Sequence, residues 1–490
     1  MPTLRIEPLN REAPRPDRDY ILYWMTAFRR TRYNFALQRA VEWANELQKP
    51  LIVLEAVRVD YPWASDRLHR FILDGMADNR DEFATTNVTY YPYVEQERDA
   101  GKGLVSALAS QACVVITDDY PAFFLPRAVA AAAARIDVLT ETVDSNGIHS
   151  LCAPGRDFAT AHAFRRWLQS NIYEDLATFP LANPLEHAHG LEASVPDAIV
   201  RRWPIADLEP DGIDAAIRNL PIDHTVAPVG RAGGSHAARA RLDAFIPRLA
   251  RYDGERNHPD SDGGSGLSPY LHFGHVSPHE VFLAVADSEG WSEGDISSRR
   301  DGSRSGFWGM SAPAEGFLDQ LITWRELGFN LCAYRDDYDR YESLPEWSRQ
   351  TLEEHASDPR REQYSLEQLE QACTADPLWN AAQTQLLRDG VIHNYLRMLW
   401  GKRILEWSPS PQEALDRMIH LNNKYALDGR DPNSYSGIFW VLGRYDRPWG
   451  PRRPIFGTVR YISSANTARK LHVGDYLKRY APRSQQEVYP

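Results

Sequence analysis

The sequence predicts an α/β N-terminal domain on a parallel, Rossmann-like sheet, followed by a large all-helical C-terminal domain. Three observations carry this. Up to about residue 145, short near-continuous apolar runs alternate with helix-period segments, the pattern of strands covered on both faces. A proline-rich stretch without periodicity follows. Beyond residue 237 only helix-period runs occur, with no alternation of strands.

Tyr20–Met25 (YILYWM) reads as a buried strand, and Asn34–Leu47 as a helix with Leu37, Ala40, Val41, Ala44 and Leu47 on one stripe. Leu51–Val57 (LIVLEAV) is the next strand. Asp66 opens a helix burying Leu68, Phe71, Ile72, Leu73 and Met76. Ala112–Thr117 and Ile136–Leu139 are two more strands, with an alanine-rich helix near Arg127–Ala134 between them. The α/β domain is therefore placed at 18–145. It has no GxGxxG turn, so an ordinary Rossmann dinucleotide site is unsupported; a ligand would sit outside the carboxyl ends of the strands. Residues 146–236 read as a connecting segment, with Pro180, Pro184, Pro196, Pro204, Pro210, Pro221 and Pro228 along it. In the helical domain, 237–480, helices are expected at Leu242–Tyr252, Pro278–Val285, Ala314–Asn330, Leu366–Ala372, Trp379–Trp407 and Pro411–Asn422.

With 490 residues and 43% hydrophobic composition, the chain is too long for a single small module. The four cysteines, Cys113, Cys152, Cys332 and Cys373, lack the spacing of a disulfide framework or zinc knuckle. The N-terminus has no signal-peptide core, and no run approaches the ~20 apolar residues that span a bilayer. A soluble cytoplasmic protein with reduced thiols is expected. The net charge of -12 argues against nucleic acid, but it conceals an asymmetry: residues 388–480 hold 16 Arg and Lys against 8 Asp and Glu. A basic region on an acidic body fits phosphate binding at one face and equally a solvated surface.

Four constellations could carry chemistry. Trp379, Trp400 and Trp407 share one helical region; Trp400 and Trp407, seven apart, lie on one face roughly 10 Å apart along the axis. Core packing is one account of them, a relay of redox-active rings the other. Ser265-Gly266-Leu267-Ser268, leading into PYLHFG, offers amides and hydroxyls to a phosphate, or is a capped loop. Tyr252 and Arg256 precede it and could add a ring and a cation. The very polar Asn422–Asn433 run carries Asp428 and Asp431, three apart; glycosidase or metal chemistry lacks further clustered acids, and a satisfied polar loop is the larger alternative. Finally, Gln320 and Trp324 are i,i+4 neighbours, an amide beside an indole that would suit a base edge and a stacked ring, or a plain helix surface.

Together, and in this order, these segments resemble the class II cyclobutane pyrimidine dimer photolyases of the photolyase and cryptochrome family. The stretches that carry the resemblance are YILYWM with RTRYNFAL, SGLSPYLHFG, FLDQLITWREL, DPLWNA, HNYLRMLWGKRILEW, LNNKYALDGRDPNSYSGIFW and RPIFGTVRY. They run over nearly the whole chain and are most specific from Asp376 to Tyr461. The resemblance implies light-dependent DNA repair, with a U-shaped FAD in the helical domain and a deazaflavin or folate antenna as a second chromophore. Tyr252 and Ser265, Gly266, Leu267 and Ser268 match the phosphate and ribityl side of the FAD site. Asn394 and Arg397 match flavin contacts, Asn422 the residue beside flavin N5, and Asp428 the acid that pairs with Arg397; Asp431 and Asn433 match further parts of that pocket. Trp400, Trp379 and Trp407 match the photoreduction relay from flavin-proximal through middle to surface. Trp324 and Trp440 match the rings lining the flipped dimer, and Met398 a methionine touching it.

One departure stands out: where the family has a glutamate facing the dimer bases, FLDQL places Gln320. An amide donates and accepts but carries no charge and hands over no proton. Asp319 should point about 100° away on an α-helix and is not expected to substitute. The implied reaction passes an electron from reduced FAD to an extruded dimer, whose ring opens and returns the electron; the protein supplies geometry and electrostatics. Arg444, Arg447, Arg452 and Arg453 are the candidate phosphate contacts, which position a duplex without reading its sequence. The expected partner is DNA containing pyrimidine dimers, met as a monomer at the bacterial nucleoid, with no metal and no membrane. A blue-light photoreceptor of the same family, with little or no repair, is the alternative that Gln320 favours.

Overall fold

The computed structural model describes residues 2–189, 192–261 and 263–481, and the apolar runs near its start pair into one six-stranded sheet. The strands are β1 (Ile6–Pro8), β2 (Tyr20–Met25), β3 (Leu51–Val57), β4 (Thr89–Val94), β5 (Ala112–Asp118) and β6 (Thr140–Val143), in the order β1-β6-β5-β2-β3-β4. All neighbours are parallel except β1 on β6. Leu22, at the centre, lies beside Ile52 on one side and Val115 on the other. Helices α1 (Phe35–Leu47), α2 (Asp66–Phe83), α3 (Leu104–Ala109) and α4 (Leu125–Ala133) alternate with the strands. Asn34 caps α1, its side chain accepting from the amides of Ala36 and Leu37.

Three strand expectations change. The last strand starts at Thr140 instead of covering Ile136–Leu139, because the Asn10 amide takes the carbonyls of Ile136 (3.3 Å) and Val138 (2.8 Å). The short β1 was not anticipated. Neither was β4 (TYYPYV), whose Pro92 is tolerated because the strand lies at the sheet edge. Between β2 and β5, where the strand order reverses, the Asp118 carboxylate accepts from the amides of Thr26, Ala27 and Phe28 at 2.7–2.9 Å. That ties down the turn at the carboxyl end of β2.

The stretch expected to be irregular contains helices at Asp197–Arg202 and Pro210–Asn219. Its prolines mark starts: Pro196 is an N-cap and Pro210 a first-turn residue, where the missing N–H costs nothing. Before these two helices in the same connecting segment lies α5 (Ala161–Asn171), and further along come α6 (Ala312–Leu318), a π-helical turn (Asp319–Trp324), α7 (Arg325–Tyr334), α8 (Pro377–Asp389), α9 (Asn394–Trp407), α10 (Pro411–Tyr425) and α11 (Pro432–Val441). The single helical region expected over Trp379–Trp407 is two helices, broken at Gly390, which closes α8 at φ 68°. The helix expected at Leu242–Tyr252 is instead the end of one helix (Ser235–Phe245) and a 3-10 turn (Ile246–Arg251) containing Pro247.

By their contacts the described residues fall into two units. One takes Met1–Gly155, Asn171–Ala244 and Leu267–Asp287 and holds the sheet; the other takes Arg156–Ser170, Phe245–Gly266 and Ser288–Pro490 and is helical. The grouping interleaves along the chain. The helical unit is centred on Trp379, Leu396, Trp400, Leu405, Trp407 and Phe439, all buried. Among the described residues no helix is long and apolar enough to cross a membrane, and all four cysteines are free.

Candidate functional site

Helices α9 and α10 and the loop after α10 bring the polar candidates together. Arg397 on α9 donates through Nη2 to Asp428 Oδ1 at 2.8 Å, in a pair that is largely but not wholly buried. Asn422, near the end of α10, is buried; its Nδ2 donates to Ser434 Oγ (2.6 Å) and Asn423 Oδ1 (3.2 Å), which commits both amide hydrogens. The loop that carries Asp428 is pinned. A Cβ on Gly429 would stand 2.6 Å from the Asn422 carbonyl oxygen. Arg430, at φ 66°, is buried and donates to the carbonyls of Asn423, Ala426 and Leu427. Asp431 caps α11 by accepting from the Asn433 amide at 2.8 Å, and Asn433 itself is exposed.

The neighbourhood continues from the start of α9. Asn394 is exposed there, and His393 before it is half-buried, its ring bonded to the Arg256 backbone. Burial, reinforced by the charge of His258, lowers the His393 pKa to about 4, so it is neutral at pH 7. The Arg256 guanidinium lies 5.3 Å from the centre of the Tyr252 ring. Tyr252 is wedged edge-on against Phe317 (5.4 Å) and Phe245 (5.9 Å). Burial raises its pKa, an effect that Arg256 opposes. Of the Gly- and Ser-rich loop, Ser265 and Gly266 (φ 68°) belong to the helical unit, while Leu267 and Ser268 are counted with the sheet unit.

The three indoles are buried together. Trp379 and Trp407 meet edge to face, with centroids 5.3 Å apart at 77°. Trp379 Nε1 donates to the Trp400 carbonyl (3.0 Å) and Trp400 Nε1 to Gln383 Oε1 (2.9 Å). Trp400 is three residues after Arg397 on α9, hence on a neighbouring face. The expectation of Trp407 as a surface ring is corrected: it is 2% exposed. Arg403 covers one face at 4.5 Å, and the Tyr364 ring packs edge-on at 5.0 Å. Tyr364 is half-buried, with its hydroxyl donating to Glu362 (3.1 Å) and accepting from the Ala375 amide (3.0 Å). The outermost ring of the column is thus a tyrosine. A seven-residue spacing shows that two indoles share a face, not which way that face points.

Gln320 and Trp324, both half-buried, lie in the π-turn. Its wider coil removes the four-residue rule that put them on one face, and such turns recur at functional sites. Asp319 is committed elsewhere, to Arg165 Nε at 2.7 Å; Arg165 also donates to the Gly302 carbonyl (3.2 Å). Trp440 is half-buried on α11. Helix α7 packs on α11, closely enough that a Cβ on Gly328 would meet Asn433 Cα at 2.6 Å. Met398 is half-buried on α9.

Among the proposed phosphate contacts, Arg444 is withdrawn. It is 4% exposed and its guanidinium donates to the Ser343 carbonyl, so it serves the interior. Arg447, Arg452 and Arg453 are exposed. Arg447 lies over Trp449 (4.7 Å) and Arg453 over Tyr461 (4.8 Å), while Arg452 pairs with Glu354 (3.0 Å). The segment is organised by residues the sequence reading passed over. Arg460 binds Asp446 through two hydrogen bonds, 2.7 and 3.0 Å, and stacks 3.9 Å from the Trp449 ring centre.

This chain is 33% identical over 478 residues to the deoxyribodipyrimidine photo-lyase of Methanothermobacter thermautotrophicus, covering 97% of each chain. It belongs to the deoxyribodipyrimidine photo-lyase family. The photo-lyases of Arabidopsis thaliana (32% identity, 93% of this chain and 88% of that one) and Potorous tridactylus (29%, 94% and 81%) are also similar over most of their length. No family model matches the sequence. Among solved structures, a bacterial class III photolyase from Agrobacterium tumefaciens shares the fold at TM-score 0.65 and 17% identity, over 96% of this chain and 87% of that one. The photo-lyase fold thus accounts for both the sheet unit and the helical unit.

Proposed function

We propose that this chain is a class II photo-lyase that binds FAD in its helical unit and repairs cyclobutane pyrimidine dimers extruded from DNA. The observation that carries the reading is the Arg397–Asp428 pair beside an orientation-locked Asn422, one helical turn from a buried column of indoles. The residues fit a flavin nucleotide. Arg256 Nε, a donor, and His393 Nδ1, the acceptor nitrogen of a neutral ring whose other nitrogen bonds the Arg256 backbone, are buried without hydrogen-bond partners among the described residues, and unpaired buried polar atoms call for a ligand. Arg397 would face the electron-rich ring, with Asp428 holding its guanidinium in place. Asn422 has both hydrogens committed, which leaves its carbonyl oxygen for the ring edge. Within the helical unit, Tyr252, Arg256, Ser265, Gly266 and Asn394 would hold the phosphate and ribityl side, with Asp431 and Asn433 at the pocket margin. Bound there, FAD supplies the light-driven electron chemistry that splits the cyclobutane ring.

The chain's own residues do the rest. Trp324 and Trp440 wall the extruded lesion and Met398 touches it; a dimer pairs and stacks poorly, which lowers the cost of extrusion. The Gln320 amide can donate to a base carbonyl or accept from a base N–H without changing its charge. Trp400, Trp379, Trp407 and then Tyr364 provide the path by which electrons enter from solvent. Arg447, Arg452 and Arg453 grip phosphates on DNA, met by a monomer. A deazaflavin or folate antenna would lie outside the carboxyl ends of the sheet. The second reading, a photoreceptor with little repair, is favoured by Gln320 standing where a carboxylate is expected.

The deciding experiment illuminates the purified, reduced protein with an oligonucleotide bearing a thymine dimer. Loss of the dimer in light and not in darkness is expected; persistence of the dimer with reduced FAD bound overturns repair. Trp400→Phe should block photoreduction of oxidised protein while chemically reduced protein still repairs. Gln320→Glu, assayed alongside, should raise turnover severalfold if the natural amide is a handicap.

A further inference from the structure

Lys402 is a fully buried amine on α9 that, among the described residues, donates to a backbone carbonyl and feels a carboxylate only through space. Gly401 makes this burial possible. A Cβ there would stand 2.7 Å from Val441 Cγ2, so α9 and α11 approach closely and the lysine is folded between them. Its Nζ donates to the Val441 carbonyl and lies 5.4 Å from the centre of the Trp440 ring. Arg460 approaches the same indole at 5.6 Å. The nearest carboxylate that acts on the amine, Asp446, is bonded by Arg460 and by Trp449 Nε1 (3.1 Å). A buried ammonium normally has a counter-ion; this one has a carbonyl and an aromatic face instead.

We propose that Lys402 is a positioning residue of the lesion site, whose protonated amine holds the Trp440 indole in place from behind, so that dimer binding weakens as the amine loses its proton. The attraction of a cation for an indole face exists only for the charged form, and it is strongest when the cation is desolvated. Arg460 contributes the second, permanent cation on that ring. Burial drives the Lys402 pKa down to about 7; Asp446 opposes the shift and Arg460 adds to it, and these are the charged groups that act on the amine. At the acid side of neutrality the ring is clamped by two cations, at the alkaline side by one. The proposal rests on Trp440 being a wall of the lesion pocket.

The test measures KM and kcat for a thymine-dimer oligonucleotide in saturating light, from pH 6 to 9, on the FAD-loaded protein. Expected for the natural chain is a roughly three-fold rise in KM with its inflection near pH 7, and kcat little changed. Lys402→Met should show the high-pH KM at every pH, and Lys402→Arg the low-pH KM at every pH. The same inflection persisting in both variants, or no inflection in the natural chain, overturns the role of Lys402. Trp440→Ala separates this outcome from failure of the pocket itself: if it leaves KM unchanged, the wall is misassigned and the lysine has nothing to position.

Discussion

At the residue scale, the burial of a single amine has a sign that can be worked out. The unfolded chain keeps the Lys402 proton up to its ordinary value of 10.5, while the folded chain releases it at about 7. Between those values the unfolded state binds more protons, so the stability lost to burying the charge is at its full size below pH 7 and fades as pH rises to 10.5. Lys402→Met should therefore stabilise the protein by on the order of 2–4 kcal/mol at pH 6.5, after allowing for the lost bond to Val441, and should destabilise it by about 1 kcal/mol at pH 10.5, where the charge penalty has gone and only the lost bond remains. Thermal or urea unfolding at the two pH values measures this; an equal effect at both would mean the amine titrates normally. Individual residues were also where the sequence was least legible. The spacing of Trp400 and Trp407 showed a shared face, and the pairing of Arg397 with Asp428 followed from the family's motif. Nothing in the letters distinguishes Arg444, turned inward to Ser343, from Arg447, turned out over Trp449. Arginine accepts either fate, because its direction is set by the tertiary carbonyl it finds.

At the scale of elements, the site depends on how closely helices approach. Gly401 and Gly328 are the points of contact, and each would place a Cβ within 2.7 Å of α11. Gly401→Leu should push α9 from α11 and destabilise the fold by about 1–3 kcal/mol, as overpacking does. It should also raise KM for dimer DNA, because Trp440 sits on the displaced helix. Chemical denaturation reads the first effect and repair kinetics the second; a neutral result on both would show that the helices can part without cost. Strand and helix positions were largely readable from periodicity, since β2 and β3 fall on the apolar runs YILYWM and LIVLEAV. The failures have common physical causes. Pro196 and Pro210 were read as breakers when they begin helices. The break at Gly390 is a left-handed cap within an otherwise continuous apolar pattern. The π-turn at Asp319–Trp324 leaves no periodic trace, because one widened coil is shorter than the window needed to see it.

At the scale of the whole molecule, charge distribution outweighs net charge. The chain carries -12 overall, yet three exposed arginines cluster in the segment after α11. Each arginine that neutralises a phosphate releases counterions, so Arg447→Ala and Arg453→Ala should each lower the slope of log affinity against log salt by about 1. They should weaken damaged and undamaged DNA alike. Arg444→Ala should leave the slope unchanged and act through stability alone. Titration of binding between 50 and 200 mM salt decides this, and a slope unaffected by Arg447 and Arg453 would move the duplex to another face.

The knot that Arg460 and Trp449 tie around Asp446 has a further consequence. A surface strap already fastened in its working shape has little motional freedom to surrender when a duplex arrives. Docking should then resemble the meeting of two rigid bodies: fast on-rates, and a heat-capacity change no larger than the apolar area covered requires. Loosening the strap with Asp446→Asn should slow encounter and make the enthalpy and entropy of association both larger and mutually cancelling.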